Sequence, residues 1–277
     1  MSEIDLDAYF ERIGYAGPRA PTLEVLTALQ RAHPAVIPFE GIEPMLGRPV
    51  RLDPASLQAK LVRGGRGGYC FEQNGLLRRV LDALGFAVTP LAARVVWMAP
   101  DDAPLGPLTH MLLKVDLPEG AFLADVGFGG QSPTAPLRFE TGAEQATPHG
   151  VYRLMDRDAG LELQARLPDR WAAMYRFTLE PRVQADYEVG NWYTSTHPDS
   201  FFANGLIVSR APEGRRINLE NTRLTSYFAD GRVEARTIGS AGELHEVLTG
   251  DFGLSIDPDE ARRMFERLAP SPLKGEG

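Results

Sequence analysis

Apolar positions at the start of the chain recur at helical spacing. Leu6, Tyr9, Phe10 and Ile13 share one face, and Gly14 is placed to stop the helix. A second helix is predicted from Thr22 as cap, with Leu23, Leu26 and Leu29 on one side, ending near His33-Pro34. Asp53 or Ser56 opens a third, short helix through Leu57 and Leu61. A glycine-rich stretch follows from Arg63 to Gly68. A fourth helix then starts at about Cys70, aligns Leu77, Val80, Leu81 and Leu84, and meets a stop at Gly85.

Beyond Gly85 the pattern changes to short runs of apolar and β-branched residues. Phe86–Met98, Met111–Leu117 and Ala121–Val126 read as strands, the last two joined by a turn at Pro118-Glu119-Gly120. Val151–Leu154, Leu161–Leu167 and Trp171–Thr178 continue the series, with turns at Gly160 and Pro168-Asp169. This middle part is expected to form an antiparallel barrel or sandwich. The last part mixes types. Gly205–Arg210, Arg215–Leu219 and Thr222–Phe228 read as strands, whereas Gly242–Leu248 and Asp257–Leu268 read as helices. The tail from Ala269 to Gly277 is expected to fray.

Composition narrows the function. The net charge is −8, and lysine occurs only at positions 60, 114 and 274. Such a chain offers no broad basic footprint for nucleic acid or anionic membrane. An anionic ligand would have to be held locally, by backbone N–H groups or a few arginines. A single cysteine excludes an intramolecular disulfide and a multi-cysteine metal site. The first ten residues carry acidic groups and no apolar leader core, and no apolar run approaches the ~20 residues of a membrane span. The expected compartment is the cytoplasm, where a lone thiol stays reduced.

That thiol lies in Arg66-Gly67-Gly68-Tyr69-Cys70-Phe71-Glu72-Gln73-Asn74. A lone cysteine is more often a buried small apolar residue than a nucleophile. At the first turn of a helix, however, the dipole favours thiolate, and unpaired backbone N–H groups can hold a developing oxyanion. A thiolate nucleophile needs a base, and the base an orienting group. Of the five histidines, His33 and His197 precede prolines and read as loop residues, while His149 and His245 lie in surface-like contexts. His110 begins a strand, and Asp125 ends the next one, so antiparallel pairing could bring them together. The glycines of Val126-Gly127-Phe128-Gly129-Gly130 read as a turn leaving that strand or as a backbone cradle beside the nucleophile.

These segments resemble the arylamine N-acetyltransferase family. The match comprises Arg66–Asn74, Thr109-His110-Met111-Leu112-Leu113 and Ala124-Asp125-Val126-Gly127-Phe128-Gly129-Gly130, in that order. Pro38-Phe39-Glu40 and Asn191-Trp192-Tyr193-Thr194-Ser195-Thr196-His197-Pro198 extend it over about residues 5 to 230. The resemblance implies an α+β fold with a cysteine-protease-like catalytic core. It divides the chain into a helical bundle at 1–88 with the nucleophile, a β-barrel at 89–204 with the His and Asp, and an α/β lid at 205–277. It implies a Cys70–His110–Asp125 triad and acetyl transfer from acetyl-CoA to an arylamine or hydrazine by a ping-pong route. Phe39 and Tyr69 fall where the family lines its acceptor pocket. Thr109, Gly127, Phe128, Gly129, Gly130 and Phe202 fall near the coenzyme A site, and Glu40 with Arg66 matches a structural ion pair. Acetyl-CoA is then a co-substrate; no permanent cofactor, metal, nucleic acid or membrane partner is expected, and the chain is expected to be a monomer or weak homo-oligomer. Gly41 departs from the pattern, standing where the family usually has asparagine, and the lid matches poorly from about 205 onward. The residues alone leave open a cysteine hydrolase of the amidase or transglutaminase-like kind, and a binding protein on a degenerate enzyme fold.

Overall fold

The computed structural model describes residues 4–100, 103–157 and 160–268. The expected frayed tail at 269–277 lies outside the described residues. The first helices are α1 (Leu6–Ile13) and α2 (Leu23–Val36), capped by the Asp5 and Thr22 side chains. Helix α2 runs past the expected stop at His33-Pro34, with Pro34 inside its last turn. A two-residue strand, β1 (Phe39–Glu40), leads into the short α3 (Ile42–Met45). Asp53 caps α4 (Pro54–Leu57), which continues as a π-helical segment, Gln58–Arg63, before the glycine-rich stretch. Helix α5 (Cys70–Ala83) follows, with Cys70 as its first residue.

Eight antiparallel strands come next. In chain order they are β2 (Ala87–Val95), β3 (His110–Leu117), β4 (Gly120–Ala124), β5 (Leu137–Arg138), β6 (Gln145–Thr147), β7 (Gly150–Arg157), β8 (Gly160–Arg166) and β9 (Trp171–Phe177). Their spatial order is β5-β4-β3-β2-β9-β8-β7-β6. The two end strands approach each other: the Gln145 side chain accepts from Arg138 N (2.7 Å) and donates to Arg138 O (3.0 Å). The sheet is thereby a nearly closed barrel. Side chains alternate along β3, as the two-residue period of a strand requires. Leu112 joins Leu91, Leu123, Leu163 and Tyr175 in the barrel interior. Met111, Leu113 and Val115 face out and share a core with Tyr9, Leu26, Leu77 and Leu81 of the helices.

The chain then forms α6 (Gln184–Thr196), α7 (Phe201–Asn204) and the strands β10 (Ile207–Arg210), β11 (Arg215–Glu220), β12 (Arg223–Phe228) and β13 (Val233–Thr237). Helices α8 (Ala241–Gly250) and α9 (Pro258–Leu268) close it. The lid sheet has the order β1-β10-β11-β12-β13, so its first strand comes from residues 39–40. Ile42 and Met45 of α3 belong to the lid's apolar core, with Val208, Leu219, Leu248 and Phe252. Among the described residues, no helix is long and apolar enough to cross a membrane.

Candidate active site

Cys70 stands at the N-terminus of α5 and is 5% exposed. The helix starts there because Glu72, three residues after Tyr69, turns back and accepts the Tyr69 N–H at 3.1 Å, half of a capping box. Glu72 is itself buried and paired with Lys60 Nζ at 2.6 Å. Burial raises the Glu72 carboxyl, and Lys60 offsets only part of that. Glu40, also buried, accepts from Arg66 at 3.0 Å and from the Ile42 N–H at 2.7 Å. Burial pushes Glu40 up too, but Lys60 and Arg66 outweigh it and hold the carboxyl below its usual range. The expected Glu40–Arg66 pair thus belongs to a buried network that also includes Lys60, Glu72 and Glu43.

Helix α5 packs against β3 and β2, which carries Cys70 to the start of β3. The Cys70 thiol donates to the Thr109 carbonyl at 3.3 Å. The next residue, His110, is buried and shares the face of Leu112. Pairing of Leu113 with Ala124 across β3 and β4 leaves Asp125 one residue beyond the strand end. Asp125 Oδ2 lies 2.7 Å from His110 Nε2, so Nδ1 is the ring nitrogen left over. Asp125 also accepts from Asn74 Nδ2 (2.8 Å), the Gly127 N–H (2.8 Å) and the Tyr175 hydroxyl (3.0 Å). With four donors, the buried carboxylate is fully satisfied. Burial would raise its pKa, but His110 and the other donors outweigh this and lower it. Burial likewise pushes the His110 imidazole down, and the charge and hydrogen bond of Asp125, helped by Cys70, raise it to about 10. An imidazolium is therefore the favoured form between a thiol and a carboxylate. The rings of Tyr175 (4.8 Å between centroids) and Phe128 (5.2 Å) flank His110.

The glycine turn after Asp125 is a point of close approach between elements. A Cβ on Gly127 would lie 2.8 Å from Cys70 Cα, and one on Gly130 would lie 2.4 Å from Asn218 Nδ2. Gly129, with φ +66°, sits against the Phe39 ring. Tyr69 is fully buried and its hydroxyl donates to Asn191 Oδ1 of α6. Phe202 of α7 closes this aromatic group, 5.4 Å from Tyr69 and 6.0 Å from Phe39 between ring centroids.

The structure therefore gathers Cys70, Thr109, His110, Asp125 and the 127–130 turn, with Phe39, Tyr69 and Phe202 as an aromatic group beside them. Asn74 and Tyr175 complete the shell of Asp125, and Asn191 fixes Tyr69; none of the three was singled out from the sequence. Asn74 carried a signal, since it lies one helical turn after Cys70 and on the same face. His33 is not a loop residue. It is buried in α2, with Nδ1 2.9 Å from the Tyr9 hydroxyl and Nε2 2.5 Å from Gln73 Oε1. Burial pushes it down to about 4, so it is a neutral core group. His149 is half-buried and meets Thr134 and the Pro212 carbonyl.

A cysteine at a helix start, facing one barrel strand that begins with His and another that ends just before Asp, is the layout of a cysteine-protease-like core. Known proteins share it. The model of the N-acetyltransferase family matches residues 22–261. The arylamine N-acetyltransferase of Mycobacterium tuberculosis is 48% identical over 97% of this chain and 98% of its own length. That of Escherichia coli is 42% identical over 95% and 94%. The solved structure of the Mycobacterium marinum enzyme superposes with a TM-score of 0.93 at 42% identity, covering 96% of this chain and 100% of that one. The same enzyme in complex with CoA gives a TM-score of 0.91 at 43% identity, covering 95% and 99%. Matched over nearly its whole length in both sequence and fold, the chain belongs to the arylamine N-acetyltransferase family of acyl-transferring enzymes.

Proposed function

We propose that the protein moves an acetyl group from acetyl-CoA to the nitrogen of an arylamine or hydrazine, through a thioester on Cys70. The observation that carries this reading is the line of Cys70, His110 and Asp125, with the imidazole raised between a thiol and a satisfied carboxylate. In the first half-reaction the Cys70 sulfur attacks the acetyl carbonyl, and backbone N–H groups at the start of α5 hold the oxyanion. The bond from carbon to the CoA sulfur breaks, and His110 gives that sulfur its proton. In the second, the amine nitrogen attacks the thioester, His110 takes the nitrogen's proton, and the carbon–sulfur bond to Cys70 breaks. The result is a ping-pong cycle that returns the thiol. Asp125 keeps the imidazole oriented and charged. Thr109, Phe128, Phe202 and the glycines at 127, 129 and 130 are the residues proposed to meet CoA; the solved complex of the Mycobacterium marinum relative with CoA supports acetyl-CoA as the donor. Phe39 and Tyr69 are proposed to face the acceptor. Apolar rings there also disfavour water as competitor.

Intact-mass measurement after brief incubation with acetyl-CoA, without acceptor, tests the scheme. One acetyl adduct, mapped to Cys70 and discharged by an arylamine, is expected; Cys70→Ser should take up none. An adduct on another residue, or one discharged by water as fast as by amine, would overturn it, and the latter would make the protein a hydrolase.

A further inference from the structure

Gly41 is the N-cap of α3, with φ −112° and ψ 34°. No positive φ demands glycine there. Its backbone is fixed on both sides: its N–H donates to Ile207 O at 3.1 Å, and its carbonyl accepts from Met45 N at 3.3 Å. What a side chain would meet is Phe202. A Cβ built on Gly41 would lie 2.6 Å from Cδ1 of that ring and 3.3 Å from Cε1. The ring occupies the space of the missing side chain. On the far side of α7 the arrangement repeats: a Cβ on Gly205 would lie 2.6 Å from Cζ of Phe201. Helix α7 is also tied at both ends, by Ser200 Oγ to Thr194 O, Asn204 Nδ2 to Pro198 O (2.6 Å) and Arg267 to Ala203 O (3.1 Å). A side chain at 41 must therefore displace the ring rather than the helix or the strand. Restoring ordinary carbon–carbon contact takes roughly 1 Å of movement. The ring's other neighbours are Tyr69, edge to face, Phe39 and the half-exposed Phe201. Tyr69 cannot retreat, being fully buried and bound to Asn191.

We infer that Gly41 is a specificity-determining residue: by letting Phe202 sit back against the backbone, it keeps the aromatic space beside Cys70 wide enough for bulky arylamine acceptors. The inference rests on the proposed transfer through Cys70 and adds which acceptors the site takes. Gly41 touches neither the thiol nor the imidazole, so it acts through Phe202.

The test loads the full-length protein with acetyl-CoA, removes the donor, and follows loss of the acetyl adduct with aniline and with 4-aminobiphenyl. In Gly41→Ala the ratio of the two rates, bulky over compact, should fall about tenfold, the scale of one methylene in a fitted pocket. Gly41→Asn should lower it further. In a Phe202→Ala background the same Gly41→Ala change should leave the ratio alone, because no ring remains to be pushed. Phe202→Leu, with Gly41 kept, should raise the ratio, and it answers the question even if the Gly41 variants fail to fold. A ratio that does not fall in folded Gly41→Ala, an equal fall in the Phe202→Ala background, or no rise in Phe202→Leu overturns the inference while leaving the thioester chemistry intact. A wild-type protein that takes up no acetyl group overturns the proposed chemistry, and the inference with it.

Discussion

Asp125 has more donors than an orienting carboxylate needs, and the surplus defines its task. Besides His110 of β3, its partners come from β9, α5 and its own turn, so three donors fix the carboxylate before His110 is considered. Asp125→Asn replaces an anion by an amide that cannot accept from all four. Single-turnover acetylation of Cys70 should slow by about 10⁴, the scale of the same change in a serine protease. A folded variant acetylated at near wild-type rate would remove Asp125 from the proposed triad. The same pair sets a pH dependence. His110 is raised to about 10, whereas an unfolded imidazole titrates near ~6.5. The pair's stabilisation is therefore fully present below the unfolded value and is lost as pH rises through about 10. Urea unfolding should show a stability gap between wild type and Asp125→Asn that is wide at pH 6.5 and narrows by pH 10; a gap that widens would contradict the shift. Residues were unevenly legible at this scale. The nearness of His110 to Asp125 could be read from strand spacing, because an antiparallel turn brings those ends together. Tyr175 could not, since it reaches Asp125 across the barrel from a strand 50 positions away. Nor could the burial of His33, whose partners Tyr9 and Gln73 lie on two other helices.

Among the elements, the start of α5 depends on charges that the hydrophobic pattern does not reveal. The π-helical segment Gln58–Arg63 carries Lys60 beneath the cysteine, between two buried carboxylates. Lys60→Met keeps the stem and removes the charge, leaving Glu72 without a cation. Breaking a buried pair this way costs about 3–5 kcal/mol. In a chain of this length that is a fall in Tm of roughly 10 °C. Adding Glu72→Gln should recover much of it, because the orphaned charge goes too. Calorimetry on the two variants decides: an unchanged Tm in Lys60→Met would make the network ornamental. The pattern-based reading was strongest where period and burial agree. Strands β2, β3 and β4 and helices α1, α2 and α5 lie within a few residues of the expected runs. It failed for α6, which was not predicted. Apart from Tyr187, that helix buries Gly190, Asn191, Thr194 and Ser195, small and polar residues that form no apolar stripe. It failed again at β1, two residues long and held by a strand that arrives 168 positions later and by a bridge to Gly68.

Across the whole molecule, the lid is bound to the other parts by polar ties as well as by its own core, and Arg216 is the densest of them. Its side chain projects from β11 and is 5% exposed. It donates to Gly130 O (2.6 Å), Ser132 O (2.9 Å), His149 O (3.1 Å) and the Tyr152 hydroxyl (2.7 Å). Three of these are backbone oxygens of the glycine turn and the loop before β7. One guanidinium thus connects the lid sheet, the barrel and the turn that packs on Cys70. Nearby, Ala211 N–H donates to Pro34 O at 2.9 Å and Arg210 Nε to Ala35 O at 2.7 Å, which binds the same lid strands to α2. Truncating Arg216 to Ala would take donors from the buried Ser132 carbonyl and the half-buried Gly130 and His149 carbonyls. Each such loss costs about 1–3 kcal/mol. Because the ties converge on one side chain, the losses fall together, and the stability cost should reach several kcal/mol. Arg216→Lys should recover little, because an ammonium lacks the planar fork that reaches four acceptors at once. Activity should fall further than stability requires, since the 127–130 turn is the surface proposed to hold CoA. The readout is therefore the KM for acetyl-CoA at a temperature where the variant is still folded. A raised KM together with a lowered Tm supports one tie serving both roles. A Tm within about a degree of wild type in Arg216→Ala would mean that the lid is held by its apolar contacts, β1 and the ties to α2, without need of Arg216.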